Sequence, residues 1–170
     1  GDALLAVDAA SGRLLWSVDG FTSLPSAPRA LDLDGDGYLD RAYLVDVTGN
    51  LWRIAFASGA AAGDLASARR IARLGTGVHR FFATPDASVA RIGDQARLAI
   101  AVGSGALTRP RDASVVDRVY VIFDALAGDA EFLRRFRAEA RAAAALSHPN
   151  VMAVYDWSDG SDDGDAAFIV

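Results

Sequence analysis

Apolar and polar residues alternate over short runs along most of this chain. Glycine, proline, asparagine and aspartate break the runs. That pattern predicts strands and tight turns. Ala3–Asp8 is an apolar run, residues 9–12 form a turn, and Arg13–Val18 is a second run, so the chain opens as a β-hairpin. A loop follows at Leu24–Pro28. Arg41–Asp46 and Leu51–Phe56 predict two further strands joined by a turn at Val47–Asn50, whose Gly49-Asn50 pair suits positive φ. In the second of these, period-2 geometry sends Leu51, Arg53 and Ala55 to one face and Trp52, Ile54 and Phe56 to the other. Residues 57–68 are alanine, glycine, serine and aspartate with one leucine, and imply little order. Arg69–Leu74 reads as a short strand. Gly75–Phe82 leads through Pro85 into a loop. Arg97–Gly103 reads as a buried-type strand, and Asp117–Asp124 as the last clear strand before the pattern changes.

From residue 129 the period lengthens to that of a helix. Asp129 is a good N-cap, Glu131 suits the first turn, and Phe132, Phe136, Ala140 and Ala143 form an apolar stripe at helical spacing. Ser147–Asn150 ends that helix. Val151–Tyr155 and Ala166–Val170 predict two short strands around an acidic loop at 156–165. The expected fold is therefore mainly β: antiparallel hairpins, then one long helix and two short strands.

Composition narrows the function classes. The chain has 170 residues, a net charge of −5 and no cysteine, so disulfides play no part and nucleic acid is not an expected partner. No apolar run reaches the roughly eighteen residues that a membrane-spanning helix needs. The chain lacks an initiator methionine and a basic-then-apolar leader, and is expected to be a piece of something longer. All 17 basic residues are arginine.

The candidate chemistry lies in Asp32-Leu33-Asp34-Gly35-Asp36-Gly37-Tyr38-Leu39-Asp40. Calcium is a hard cation that takes about six to eight oxygen ligands. Carboxylates of Asp32, Asp34, Asp36 and Asp40 and the backbone carbonyl of Tyr38 form a candidate set for Ca²⁺, with Gly37 at the sharp turn. The twelfth position, where an EF-hand has a bidentate glutamate, is Tyr43. The competing reading is a solvated Asp/Gly turn. No catalytic residues are assigned: Ser104 has no base near it in sequence, and His79 and His148 have no partner constellation.

Several motifs occur in order: Ser26–Pro28, Asp32–Asp40, Tyr43 with Asp46, Gly49–Arg53, Arg80–Phe82 with Pro85, Gly103–Gly105 and Asp117–Ile122. Together they resemble the C-terminal β-propeller of PilY/PilC-type adhesins of type IV pili, over residues 1–124. The resemblance implies a calcium loop at 32–40, partial propeller blades, a place at the pilus or cell surface, and pilus components or cell-surface ligands as partners. A blade takes about 40–45 residues, so this length holds at most about three, and a closed propeller would need the missing blades from elsewhere.

Residues 125–170 resemble a different family. Phe132–Glu139, Ser147–Val151 and the two following strands look like the helix αC, the αC–β4 loop and strands four and five of a bacterial Ser/Thr protein kinase N-lobe. The resemblance implies a cytoplasmic origin for this part. Kinase activity is not expected. A Gly-rich loop, His-Arg-Asp and Asp-Phe-Gly are missing, Tyr120 stands where an ungapped match puts the phosphate-binding lysine, and Glu139 has no lysine to pair with. Two unrelated pieces meet near strand 119–123. Three functions compete: a non-catalytic calcium-binding adhesin fragment, a kinase-derived nucleotide binder, and a structural remnant with no ligand.

Overall fold

A computed structural model describes residues 2–57, 63–75, 77–92, 95–126, 157–158 and 168–169. All of its described secondary structure is strand, and the chain divides into two compact units, Gly1–Asp86 with Ile100–Ile122 and Ala87–Ala99 with Phe123–Val170. Among the described residues there is no helix. The helix expected from residue 130 to 146 and the strand expected at 151–155 lie outside the described residues.

The opening hairpin forms as the pattern predicts. β1 (Leu4–Val7) and β2 (Leu14–Val18) pair antiparallel, with a register shift between Ala6 and Val7. The Asp8 carboxylate closes the turn by accepting the Ser11 amide at 2.7 Å and its hydroxyl at 2.5 Å. The Gly12 amide also donates to the Asp8 carbonyl at 2.8 Å, so the side chain and the backbone of Asp8 close the turn together.

Next comes a four-stranded antiparallel meander: β3 (Arg29–Leu31), β4 (Arg41–Val45), β5 (Asn50–Phe56) and β6 (Ala66–Arg73), in that order. The sequence pattern did not announce β3, because three residues are too few to display a period. It forms because Arg29, Ala30 and Leu31 pair with Tyr43, Ala42 and Arg41. β6 begins three residues before its expected start. Ala66, Ser67 and Ala68 carry no apolar alternation of their own but lie opposite Phe56, Ala55 and Ile54. A register shift at Leu51/Trp52 leaves Ile71 without a cross-strand partner.

The pairing assigns faces. Ala42↔Ile54 and Leu44↔Trp52 share one face, while Tyr43↔Arg53 and Val45↔Leu51 share the other. The expected split of β5 into two faces therefore holds. On the first face Trp16, Phe21, Ala42, Leu44 and Ile54 form a buried cluster, flanked by Leu4, Ala6 and Val18 of the hairpin. Phe21 meets Trp52 edge-on, with ring centres 5.0 Å apart. On the second face Tyr43, Val45 and Leu51 are fully buried. Antiparallel sheets commonly leave one face in water. Here the central strands β4 and β5 have buried residues on both faces, while the outer strands β3 and β6 carry only half-buried and exposed ones.

A third sheet has the order β7 (Asp86–Ile92), β8 (Gln95–Gly103), β9 (Val119–Ala125). β7 is a correction, since the stretch after Pro85 was expected to be loop. Its alternation of small and polar residues is too weak to read without the neighbouring strand. A last pair, β10 (Trp157–Ser158) with β11 (Phe168–Ile169), is antiparallel. β11 falls within an expected strand, whereas β10 lies where an acidic loop was expected. A single four-stranded sheet among the described residues does not make a ring of about four to eight blades.

Gly49 holds the β4–β5 turn against its surroundings. Its φ is +89°, and a Cβ there would lie 2.5 Å from the Leu74 carbonyl oxygen and 2.6 Å from the Phe81 ring. Backbone strain and a clash with main chain would act together. Gly49→Ala is expected to destabilise the chain by about 3 kcal/mol. Urea denaturation measures this directly, and a midpoint equal to the parent's would show that the turn can relax.

Candidate metal centre

The loop 32–40 joins β3 to β4, and backbone bonds pin its C-terminal end. The Asp40 amide donates to the Leu31 carbonyl at 3.0 Å, and the Phe56 amide donates to the Asp40 carbonyl at 2.8 Å. Leu33 is buried and anchors the loop from within. Between these points the chain must reverse in a few residues. Gly37 has φ +91° and open space around its α-carbon, so conformation rather than room requires glycine there.

Aspartates organise the loop by accepting its amides. Asp32 accepts from Gly35 at 2.6 Å and from Gly37 at 2.9 Å. Asp34 accepts from Asp36 at 3.1 Å, and Asp36 from Tyr38 at 2.8 Å. Asp40 reaches back to the Leu33 amide at 2.5 Å and, less closely, to that of Asp34 at 3.3 Å. The result is a chain of Asx-type turns around a concave, acidic centre.

Carboxylate oxygens of Asp32, Asp34 and Asp40 lie within 4.8 Å of one another. Oxygens that share a calcium ion at about 2.3–2.6 Å can be separated by at most about 5 Å, so the spacing fits such an ion. Asp36 lies outside this trio, and its carboxylate is engaged with the Tyr38 amide. The Tyr38 side chain is largely exposed. Thus three of the four sequence-expected carboxylates, those of Asp32, Asp34 and Asp40, converge, and that of Asp36 lies outside the trio. The set contains only hard oxygen donors, which suits calcium better than zinc or copper.

The cluster is electrostatically uncomfortable as it stands. The hydrogen bond from the Asp36 amide favours ionised Asp34. Desolvation and repulsion from Asp36, Asp40 and Asp32 outweigh it, and the Asp34 carboxyl titrates above its ordinary value.

A second aspartate, which the motif did not single out as an interaction centre, fixes the neighbouring turn. Asp46 is buried. Its carboxylate accepts the Thr48 amide at 3.1 Å and hydroxyl at 2.8 Å, and the Asn50 amide at 3.0 Å and side-chain amide at 2.7 Å. Thr22 N and Trp52 Nε1 approach at 3.5 Å. Burial pushes the Asp46 pKa up, but the bonds from Asn50, Thr48 and Thr22 together bring it below the usual range. Asn50 therefore serves as a donor to Asp46 rather than as a positive-φ residue, since among the described residues every positive φ belongs to a glycine. The sequence signal that could have revealed this is an aspartate two residues before Thr48 and four before Asn50.

The remaining candidates are placed as follows. His79 is buried, with Nε2 3.2 Å from the Val116 carbonyl oxygen and its ring edge-on to Tyr120. Tyr120 also packs on Phe81, with ring centres 5.6 Å apart. Its environment is an aromatic cluster, not a phosphate site. The Ser104 hydroxyl donates to Asp117 at 2.9 Å. Glu139 and His148 lie outside the described residues.

Comparison with known proteins yields one short similarity. Over 36 residues the chain is 50% identical to the serine/threonine-protein kinase PrkC of Bacillus subtilis (strain 168), which covers 21% of this chain and 6% of that protein. The matched stretch is thus a small part of the kinase. No family model and no solved structure matches the chain. Among the described residues no helix is long and apolar enough to cross a membrane.

The two aspartates have opposite pH signatures. Asp46 has a depressed folded pKa, so its contribution is present above the unfolded value and is lost as pH falls through the folded one. Asp46→Ala, which orphans the Thr48 and Asn50 donors, is expected to cost about 3 kcal/mol near neutral pH. The deficit should shrink in acid, and urea midpoints at several pH values test it. Asp34 has a raised folded pKa, so its protonated form stabilises the fold at low pH and that gain disappears as pH rises through the raised value. A cation in the trio should reverse the shift. Carboxyl NMR titration is expected to place Asp34 above an ordinary aspartate in chelator and below it in calcium.

Proposed function

We propose that residues 1–124 are a non-catalytic, partial β-propeller of the PilY/PilC adhesin type, whose loop 32–40 is locked by calcium. The observation that carries this reading is the convergence of the Asp32, Asp34 and Asp40 carboxylates between β3 and β4. The four-stranded meander from Arg29 to Arg73 supports it. An up-and-down sheet whose central strands carry buried residues on both faces suits a propeller blade, since each blade lies between two others. In mechanism, the ion neutralises the repelling carboxylates and makes the loop a rigid brace. The braced loop holds β4 against β5 through the Asp40–Phe56 backbone bond. The role is structural, with pilus components or cell-surface ligands as partners and the pilus or cell surface as location.

A second reading rests on the PrkC similarity together with the motifs Phe132–Glu139 and Ser147–Val151: residues 125–170 would derive from a Ser/Thr kinase N-lobe. This part of the chain lacks the Gly-rich loop, the strand-three lysine and the His-Arg-Asp and Asp-Phe-Gly motifs, so it carries no phosphoryl transfer of its own. The two readings apply to different stretches and are tested with different ligands.

The test is thermal unfolding of the whole chain in calcium, in chelator and in ATP, beside an Asp34→Ala variant. For a dissociation constant of about 10⁻⁴–10⁻³ M, about 10 mM calcium should stabilise the parent by roughly 1.4–2.7 kcal/mol and leave the variant unmoved. No calcium response in a folded parent overturns the calcium loop. A response to ATP would favour the kinase-derived reading.

A further inference from the structure

A cavity of about 230 Å³ lies beside the long loop between β8 and β9, lined by Val78, Arg80 and residues of that loop. Connections longer than about 12–15 residues without regular structure are uncommon and usually functional. This one, residues 104–118, is firmly built. The Ser104 amide donates to the Arg118 carbonyl at 2.8 Å, and the Arg118 amide donates to the Ser104 hydroxyl at 2.9 Å. The Gly105 amide donates to the Arg80 carbonyl at 2.8 Å, which ties the loop to the segment before β7. Inside the loop the Arg109 and Asp112 amides close two successive turns on Ala106 and Arg109. The Asp112 carboxylate fixes a third by accepting the Ser114 amide and hydroxyl at 3.0 and 2.5 Å. A wall held at so many points needs little ordering when a ligand binds.

The lining combines both signs of charge with an apolar rim. Arg80 and Arg109 supply guanidiniums, and Asp112 and Asp117 supply carboxylates. Arg80 is oriented by its own bonds to the Gly77 and His79 carbonyls, at 2.7 and 3.0 Å. Asp117 is oriented by the Ser104 hydroxyl. Val78 and Leu107 are 58% and 72% exposed at this cavity, far from the core both would favour. The volume is below the roughly 300–1,000 Å³ of sites for drug-sized ligands and nucleotide-like cofactors, so the ligand is small. Cationic and anionic groups around one small space match a molecule with one charge of each sign. The apolar rim matches an aliphatic side chain between them.

We propose that this cavity binds a small zwitterion of the amino-acid or dipeptide class. Arg109 and Arg80 receive its carboxylate, Asp112 and Asp117 its ammonium, and Val78 and Leu107 its side chain. The site is separate from the acidic loop and does not depend on calcium there.

Isothermal titration of the whole chain with the dipeptide Ala-Leu tests the proposal, with N-acetyl-Ala-Leu and Ala-Leu amide as probes of each charge. Saturable binding of Ala-Leu is expected, weakened at least about tenfold by either blocking group, since each removes a charge-assisted contact. R109Q should abolish the preference for the free carboxylate, and the double variant D112N/D117N the preference for the free amine. All three positions are exposed, and asparagine keeps an acceptor for Ser114 and Ser104, so the variants should fold; matching thermal unfolding checks that. The proposal is overturned if Ala-Leu gives no saturable heat up to about 10 mM, if the blocked peptides bind as well as the free one, or if folded variants keep the parent's discrimination.

Discussion

The buried carboxylate of Asp46 is the interaction on which the best-defined part of this molecule depends. It gathers donors from Thr48 and Asn50 at hydrogen-bonding distance, with Thr22 and Trp52 at its margin. The bonds turn β4 into β5 without a two-residue hairpin and leave Gly49 free to pass close under Leu74 and Phe81. The Gly49 amide returns to the Asp46 carbonyl at 2.9 Å, and the Leu74 amide closes on the Gly49 carbonyl at 2.7 Å. One charged group thereby fixes the strand pair, the exit of β6 and the seat of Phe81. A buried charge is costly alone, and its partners here convert that cost into a specified turn.

The acidic loop poses the reverse electrostatic problem. Asp46 has more donors than it needs, while Asp32, Asp34 and Asp40 have one another. The amides of Leu33 to Tyr38 partly relieve the repulsion and give the loop its form. They do not remove it, as the raised Asp34 pKa indicates. β4 lies between the two, with the acidic loop before Arg41 and the Asp46 turn after Val45, so one strand joins a loop of mutually repelling carboxylates to a turn built on a well-satisfied one.

The hairpin β1–β2, the pair β4–β5 and the outlines of β8 and β9 were legible from short apolar runs, the alternation of Leu51–Phe56 and the turn residues between them, because these are local signals. β3, the start of β6 and β7 were not. Arg29–Leu31 and Ala66–Ala68 have no pattern of their own and become strands only by pairing with an edge already formed. The loop 32–40 was legible as an acidic Asp/Gly turn from its spacing. Which of its carboxylates converge was not, because Asp32, Asp34 and Asp40 come together only through the three-dimensional path of the loop, while all four aspartates accept neighbouring amides alike.

The sequence by itself determined the mainly β character, the absence of disulfides, the lack of kinase motifs and the place of the acidic loop, since each follows from residue identity and short-range spacing. Tertiary structure alone decided that the central strands of the meander are buried on both faces, that Asp46 is buried among donors, and that Tyr120 packs against Phe81 and His79. It also brought Arg80 to one cavity with Arg109, Asp112 and Asp117. The reason is common to all of these. They are meetings of residues distant along the chain, and no local periodicity records which distant residue a side chain will face.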